Sequence, residues 1–271
     1  MALPVAIQLY SVRDAMQADF EGTLKKVSEL GYQGVEFAGL YGHSAAEVKA
    51  LCAKYNLTPI SAHVPLVDLL NDIPATLAIY KEIGCEYVAI PYVTEERRPG
   101  AEKFAETLED MKKIGEECVK LGLTLVYHNH DFEFVKVDGE IGLDVIYNTV
   151  PANLLKTEID TCWANVGGVD PAKYILKYTD RAPIVHLKDL SGVPAGRLYA
   201  LIGLDEDKEV EASTFELRPV GYGRQDMPNI LDASVKAGAK WVVVEQDNPS
   251  MGKTPLECAE MSRNYLRTLG W

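Results

Sequence analysis

Four apolar runs in the chain each close on two polar side chains set two residues apart: Tyr127-His128-Asn129-His130, Thr157-Glu158-Ile159-Asp160, Val185-His186-Leu187-Lys188 and Val244-Glu245-Gln246-Asp247. Residues i and i+2 of a strand project to the same face, so each run delivers a pair of ligand-type or acid/base groups to its end. Carboxylate, imidazole and carboxylate at Asp160, His186 and Glu245 suit a hard or borderline divalent cation, one of Mn2+, Mg2+, Co2+ or Zn2+. They meet around one ion only if the runs are parallel neighbours about a common centre. Around the first of the four runs the choice of ligand is wide, because His128, His130, Asp131 and Glu133 follow one another closely. On an extended backbone His128 and His130 share a face, and a turn after His130 is needed to swing Glu133 inward.

The elements that must position these groups alternate regularly. Short aliphatic or β-branched runs lie at 5–10, 34–37, 58–63, 86–91, 123–128, 155–160, 184–188 and 241–245. Between them, helical periodicity marks 19–30, 44–55, 74–83, 101–121, 171–177, 227–237 and 255–269. Several of these end on a glycine suited to a helix C-cap, as at Gly31, Gly84, Gly122 and Gly238. Eight β units alternating with about as many helices predict a parallel sheet covered by helices. At 271 residues the closed (β/α)8 TIM barrel fits best, as one domain over 1–271. A doubly wound open sheet competes, but its glycine-rich phosphate loop is missing after the first run, which reads Ile7-Gln8-Leu9-Tyr10-Ser11-Val12-Arg13. Residues 191–222 break the rhythm with Gly192, Pro194, Gly196 and an acidic stretch over 205–209, and are expected to form a long loop insertion at the barrel mouth, either a lid or a solvated excursion.

Composition narrows the partners. Against 27 Lys+Arg stand 40 Asp+Glu, a formal charge of −13, which argues against a nucleic-acid partner. Five cysteines without a CxxC pair suggest neither a disulfide framework nor a zinc knuckle. No apolar run is long enough to span a membrane and the first residues carry no signal-peptide pattern, so a cytoplasmic protein acting on a small molecule is expected, as a monomer or a homo-oligomer.

The phrases Tyr127-His128-Asn129-His130-Asp131-Phe132-Glu133-Phe134, Glu158-Ile159-Asp160-Thr161-Cys162-Trp163, Val185-His186-Leu187-Lys188-Asp189, Val220-Gly221-Tyr222-Gly223 and Val244-Glu245-Gln246-Asp247 resemble those of the sugar phosphate isomerase/epimerase group of the xylose-isomerase-like TIM-barrel superfamily. Gly34-Val35-Glu36-Phe37 and Ser61-Ala62-His63 extend the likeness into the first half. The resemblance implies a single divalent ion held by Glu133, Asp160, His186 and Glu245. The chain departs from the ketose 3-epimerases of that group at two places. Their first glutamate lies on the strand, where Tyr127 or His128 stands here, and their histidine three residues after the metal aspartate is replaced by Trp163.

Such a centre would chelate a carbonyl and an adjacent hydroxyl of a sugar or cyclitol and acidify the neighbouring carbon. Returning the proton to carbon gives an isomerase or epimerase, the leading expectation; losing a β-hydroxyl gives an inosose-type dehydratase, the alternative. Glu245 is the favoured base, with Glu133 and His63 as its catalytic partners. Lys188 is read either as a cation for an enediolate oxygen or as an internal ion pair. Glu36, His128 and Trp163 complete the candidate substrate-binding set, and Tyr10, Phe37 and Tyr92 are candidates for an apolar wall. Gly221-Tyr222-Gly223 is a weak candidate for a phosphate cradle. An abasic-site endonuclease would need more ligands and a basic face, and a binding barrel without chemistry would not need Asp160, His186 and Glu245 together.

Overall fold

The chain closes on itself as an eight-stranded parallel barrel ringed by helices, in a computed structural model that describes residues 2–193 and 214–271. Its staves are β1 (Val5–Gln8), β2 (Gly34–Ala38), β3 (Thr58–His63), β4 (Tyr87–Ile90), β5 (Thr124–His128), β6 (Lys156–Asp160), β7 (Ile184–Leu187) and β8 (Trp241–Val244). Each stave pairs with its sequence neighbours, and β8 closes the ring against β1 through Val5↔Val242 and Ile7↔Val244. The expected (β/α)8 TIM barrel is therefore the observed fold. Its strands stop one or two residues short of several apolar runs, since Pro91, Lys188 and Glu245 lie just past their strands and Leu9 and Tyr10 fall in the 3-10 helix Leu9–Val12.

Strand alternation sorts the side chains into two cores. Ala6, Ile60, Tyr87, Ala89, Val126, Ile184 and Val243 point into the barrel and form one cluster. Their neighbours Ile7, Val35, Val88, Leu125, Ile159, Val185 and Val242 point outward into the larger cluster beneath the helices. Two residues further along the inward face, apolar side chains give way to Gln8, His128 and His186, joined there by Glu36 and Glu158, and all five are buried. Because the period is two, a strand that fills the barrel floor with Val126 or Ile184 necessarily aims His128 or His186 into its mouth.

One stave needs a correction to that rule. Between Val35 and Glu36 the β2–β3 register slips by one, from Val35↔Pro59 to Glu36↔Ser61. Ile60 packs in the interior cluster, and His63, an odd three residues on, still faces the mouth. A bulge of this kind re-aims a side chain next to a site.

The helices bear out the periodicity, with ends set by ordinary capping. Ser44 and Thr254 each form a capping box, with Glu47 and Glu257 respectively. Gly84 and Gly122 close their helices at φ 106° and 66°, where a side chain would be strained. Among the described residues no helix is long and apolar enough to cross a membrane. Across the start of the expected loop insertion, Asp189–Ser191 pairs with Glu216–Arg218 as a short antiparallel ribbon beside the mouth. The acidic stretch at 205–209 lies outside the described residues.

Candidate metal centre and cavity

Polar ends of seven staves, all but β4, meet beneath a cavity of about 630 Å³ at the C-terminal mouth. His128 on β5, Asp160 on β6, His186 on β7 and Glu245 just past β8 bring one ligand atom each to within 4.8 Å of one another. His128 Nε2 lies 3.5 Å from Asp160 Oδ2 and 3.3 Å from Glu245 Oε2, and His186 Nδ1 lies 3.0 Å from Glu245 Oε2. For ligands about 2.0–2.2 Å from a metal, the edges of a tetrahedron are about 3.3–3.6 Å, so the first two spacings match such an edge and the third is shorter.

The hydrogen bonds around these groups favour a cation at their centre. His128 Nδ1 lies 3.3 Å from the Pro91 carbonyl, which can only accept, so this nitrogen carries the proton when the ring is neutral. The Nε2 lone pair then faces two carboxylates, an arrangement that repels unless a proton or a metal ion intervenes. Asp160 Oδ1 accepts the Trp163 N–H at 2.9 Å, capping the helix Thr161–Val166, whereas Asp160 Oδ2 and His128 Nε2 are buried without a hydrogen-bond partner. His186 turns its other nitrogen, Nε2, toward Glu36 Oε2 at 2.8 Å. The Glu36 carboxylate so close behind the ring orients it by charge, although His186 Nε2 has no hydrogen-bond partner.

Below and beside this point lies a second group, Glu36, His63, Glu158 and His186. His63 Nε2 sits 2.8 Å from Glu158 Oε2 and 3.2 Å from Glu36 Oε2, and Gln8 donates to Glu36 at 2.9 Å. Burial would push the His63 imidazole down, but Glu36 and Glu158 raise it to about 10. His63 is thus a held imidazolium whose ring borders the cavity. His130 is its opposite: burial, helped by His128 and Lys188, drives it well below the ordinary histidine range. The rings of His63 and His130 lie 4.9 and 5.1 Å from that of His128, so a charged and a neutral imidazole both adjoin the same ligand.

Lys188 is buried and contacts Glu245 and Asp247 at 3.0 Å and Asp160 at 3.4 Å. Burial opposes its charge, yet Asp247, Glu245 and Asp160 hold it well above the ordinary lysine value. The internal ion pair expected as one reading of Lys188 is present, and the same side chain also lines the cavity. Trp163, Tyr10 and Tyr92 supply aromatic wall, as expected, whereas Phe37 is buried in the helix-facing core and does not line this cavity. Glu36 is wholly buried beneath the cavity, touching His63, His186 and Gln8 rather than the space above.

Glu133 is not brought to the centre. Its Oε1 accepts the Tyr127 hydroxyl at 2.5 Å and its Oε2 the His130 backbone N–H at 2.8 Å. Tyr127 points outward from β5 into the helix-facing core, and Glu133, in the 3-10 turn Phe132–Phe134, stays on that side. The fourth member of the group of potential ligands is His128, which strand parity aims inward. The Gly221-Tyr222-Gly223 turn is likewise occupied from within. Gly221 and Gly223 donate to Asp189 Oδ2 at 3.0 Å each, and a Cβ on Gly223 would meet Asp189 Oδ1 at 2.2 Å. The cradle holds the protein's own carboxylate. Asn129, passed over in the sequence, bonds both the N–H and the C=O of Asp160.

Comparison with known proteins agrees with the architecture. The model of the family described as xylose isomerase-like TIM barrel matches residues 24–269. An inosose dehydratase of Geobacillus kaustophilus is 24% identical over 273 residues, covering 91% of this chain and 86% of the relative. A sugar phosphate isomerase/epimerase of Parabacteroides distasonis superposes with a TM-score of 0.76 at 20% identity, over 98% of this chain and 94% of that one. An IolI protein with a bound zinc atom does so with a TM-score of 0.74 at 16% identity, over 99% and 98%.

Proposed function

We propose that this chain, which belongs to the xylose isomerase-like TIM barrel family, is a divalent-cation-dependent lyase that removes water from a polyhydroxylated cyclic ketone of the inosose type. The observation that carries the reading is the convergence of His128, Asp160, His186 and Glu245 on one point of the cavity floor, with His63 and His130 beside it. The relative named inosose dehydratase supports elimination over isomerisation or epimerisation, so the alternative of the sequence reading is preferred to its leading expectation.

The ligand set fits a metal ion, which when bound would chelate the ketone oxygen and a neighbouring hydroxyl and acidify the adjacent C–H. The protein supplies the proton transfers. His130, kept neutral by burial, removes the α-proton, and the electron pair of that C–H bond forms the new C=C bond. His63, kept charged by Glu36 and Glu158, protonates the departing β-hydroxyl, which leaves as water. Two groups whose surroundings drive their proton affinities apart are suited to act as base and acid at one pH. Glu245, held well below its ordinary value by Lys188 and His128 against the effect of burial, is better suited to ligation than to the role of base. Lys188 places a positive charge where an enolate oxygen would develop. Trp163, Tyr10 and Tyr92 offer flat apolar faces to the ring's C–H side.

The test is incubation of metal-loaded protein with free inososes in D2O, followed by proton NMR. Loss of a β-hydroxyl with a new enol or enone signal is the expected outcome. Deuterium exchange with the hydroxyls retained would instead identify an isomerase or epimerase. Neither change, with metal bound, would identify a binding barrel.

A further inference from the structure

We infer that Asn129 is a positioning residue that sets the liganding geometry of Asp160, an inference that rests on the metal centre described above. Asn129 is fully buried between β5 and β6. Its Oδ1 accepts the Asp160 N–H at 3.0 Å, and its Nδ2 donates to the Asp160 carbonyl at 3.3 Å. The β5–β6 register ends at His128↔Glu158, because the chain turns away from the sheet after His128. The Asn129 amide then takes over the role of the missing backbone, engaging both polar groups of one residue.

The effect on Asp160 is specific. Its N–H and C=O are held by Asn129, and its Oδ1 by the Trp163 N–H. Only Oδ2 remains, buried and without a hydrogen-bond partner, 3.5 Å from His128 Nε2 and 3.4 Å from the Lys188 ammonium. The next residue completes the alignment across the sheet: Thr161 Oγ1 donates to the His186 carbonyl at 2.9 Å. Asn129 thereby ties β5, which carries His128, to β6, which carries Asp160, at the level where the two ligands must agree in height. A residue at this place has to accept and donate at once. Aspartate has the same size but would set an oxygen against the Asp160 carbonyl, and alanine would leave both groups unpaired.

Outer partners of this kind commonly cost 10–100-fold in metal affinity when lost. The experiment is a chelator-competition titration of Mn2+ and Zn2+ into the full-length protein, comparing wild type, Asn129→Ala, Asn129→Asp and Asp160→Ala, with circular dichroism to confirm folding. Asn129→Ala and Asn129→Asp are expected to bind metal about 10–100-fold more weakly while folded. A merely structural role would lower their melting temperatures and leave the affinity of the folded protein at the wild-type value. That result, alongside weakened binding in Asp160→Ala, overturns the inference. Wild-type affinity in Asp160→Ala would instead overturn the metal-centre reading on which it rests. Should Asn129→Ala fail to fold, Asn129→Asp, which opens no cavity, decides the matter in the same way.

Discussion

Replacing Glu133 with glutamine separates two roles that the sequence leaves together. In the structure its carboxyl group is wholly buried, and that burial raises it from the ordinary 4.5 to about 7 even though Tyr127 and the His130 amide favour its charge. A rise of that size corresponds to on the order of 3 kcal/mol between the protonated and ionised forms. Since the folded protein holds this proton more tightly than the unfolded chain, the associated stability is complete below about pH 4.5 and is lost as the pH rises through about 7. Between pH 5 and 8 the wild-type protein should therefore lose a few kcal/mol that Glu133→Gln does not. Urea unfolding of both proteins, at fixed metal concentration and half-unit pH steps, measures the difference directly. Parallel stability curves over that range would refute the reasoning, because they would mean that the buried carboxyl group does not change its proton occupancy on folding. Metal content of the same variant should equal that of the wild type, since neither Glu133 oxygen reaches the ligand cluster.

Three further outcomes follow from the same geometry. His128→Ala is expected to weaken metal retention at least tenfold by equilibrium dialysis, where Glu133→Gln retains it; equal retention in the two would remove His128 from the ligand set. His63→Ala should lower kcat for elimination by roughly 10²–10⁴-fold with metal content preserved, and an unchanged kcat would exclude it as the acid. Stripping metal with a chelator should lower the melting temperature, and adding Mn2+ or Zn2+ at about 100 times its Kd should restore about 2.7 kcal/mol; a melting temperature indifferent to metal would argue against the centre.

Much of the framework can be read in the residues, for a physical reason. Four staves set an apolar side chain in the barrel floor two residues before a polar one, as Ala6 before Gln8 and Val243 before Glu245, so Val126 with His128 and Ile184 with His186 declare both the strand and its site residue. Where local geometry overrides the period, the reading fails. The apolar run at residues 5–10 continues past its strand, because the Gln8 side chain accepts the Tyr10 N–H and turns the chain into the 3-10 helix Leu9–Val12. Short helices such as Leu66–Asn71 and Thr161–Val166 span too few residues to show a period. The bulge that aims His63 inward depends on how β3 lies against β2 and has no counterpart in β3 alone.

The placing of Glu133 outside the cluster is the most informative departure, since strand parity already held the means to foresee it. If Val126 fills the barrel, His128 must face the mouth and Tyr127 must face the helices. A carboxylate bonded to Tyr127 then belongs to the outer side, however close in sequence it lies to a ligand. The resemblance to relatives with a glutamate ligand pointed past the inward residue to the nearest glutamate, but a barrel selects ligands by the face they occupy. Exchanging a carboxylate for an imidazole at His128 removes one negative charge from the ligand set. In the proposed ligand set Asp160 and Glu245 would balance a divalent cation, and Lys188, which pairs with both of them and with Asp247, would share those carboxylates with the ion.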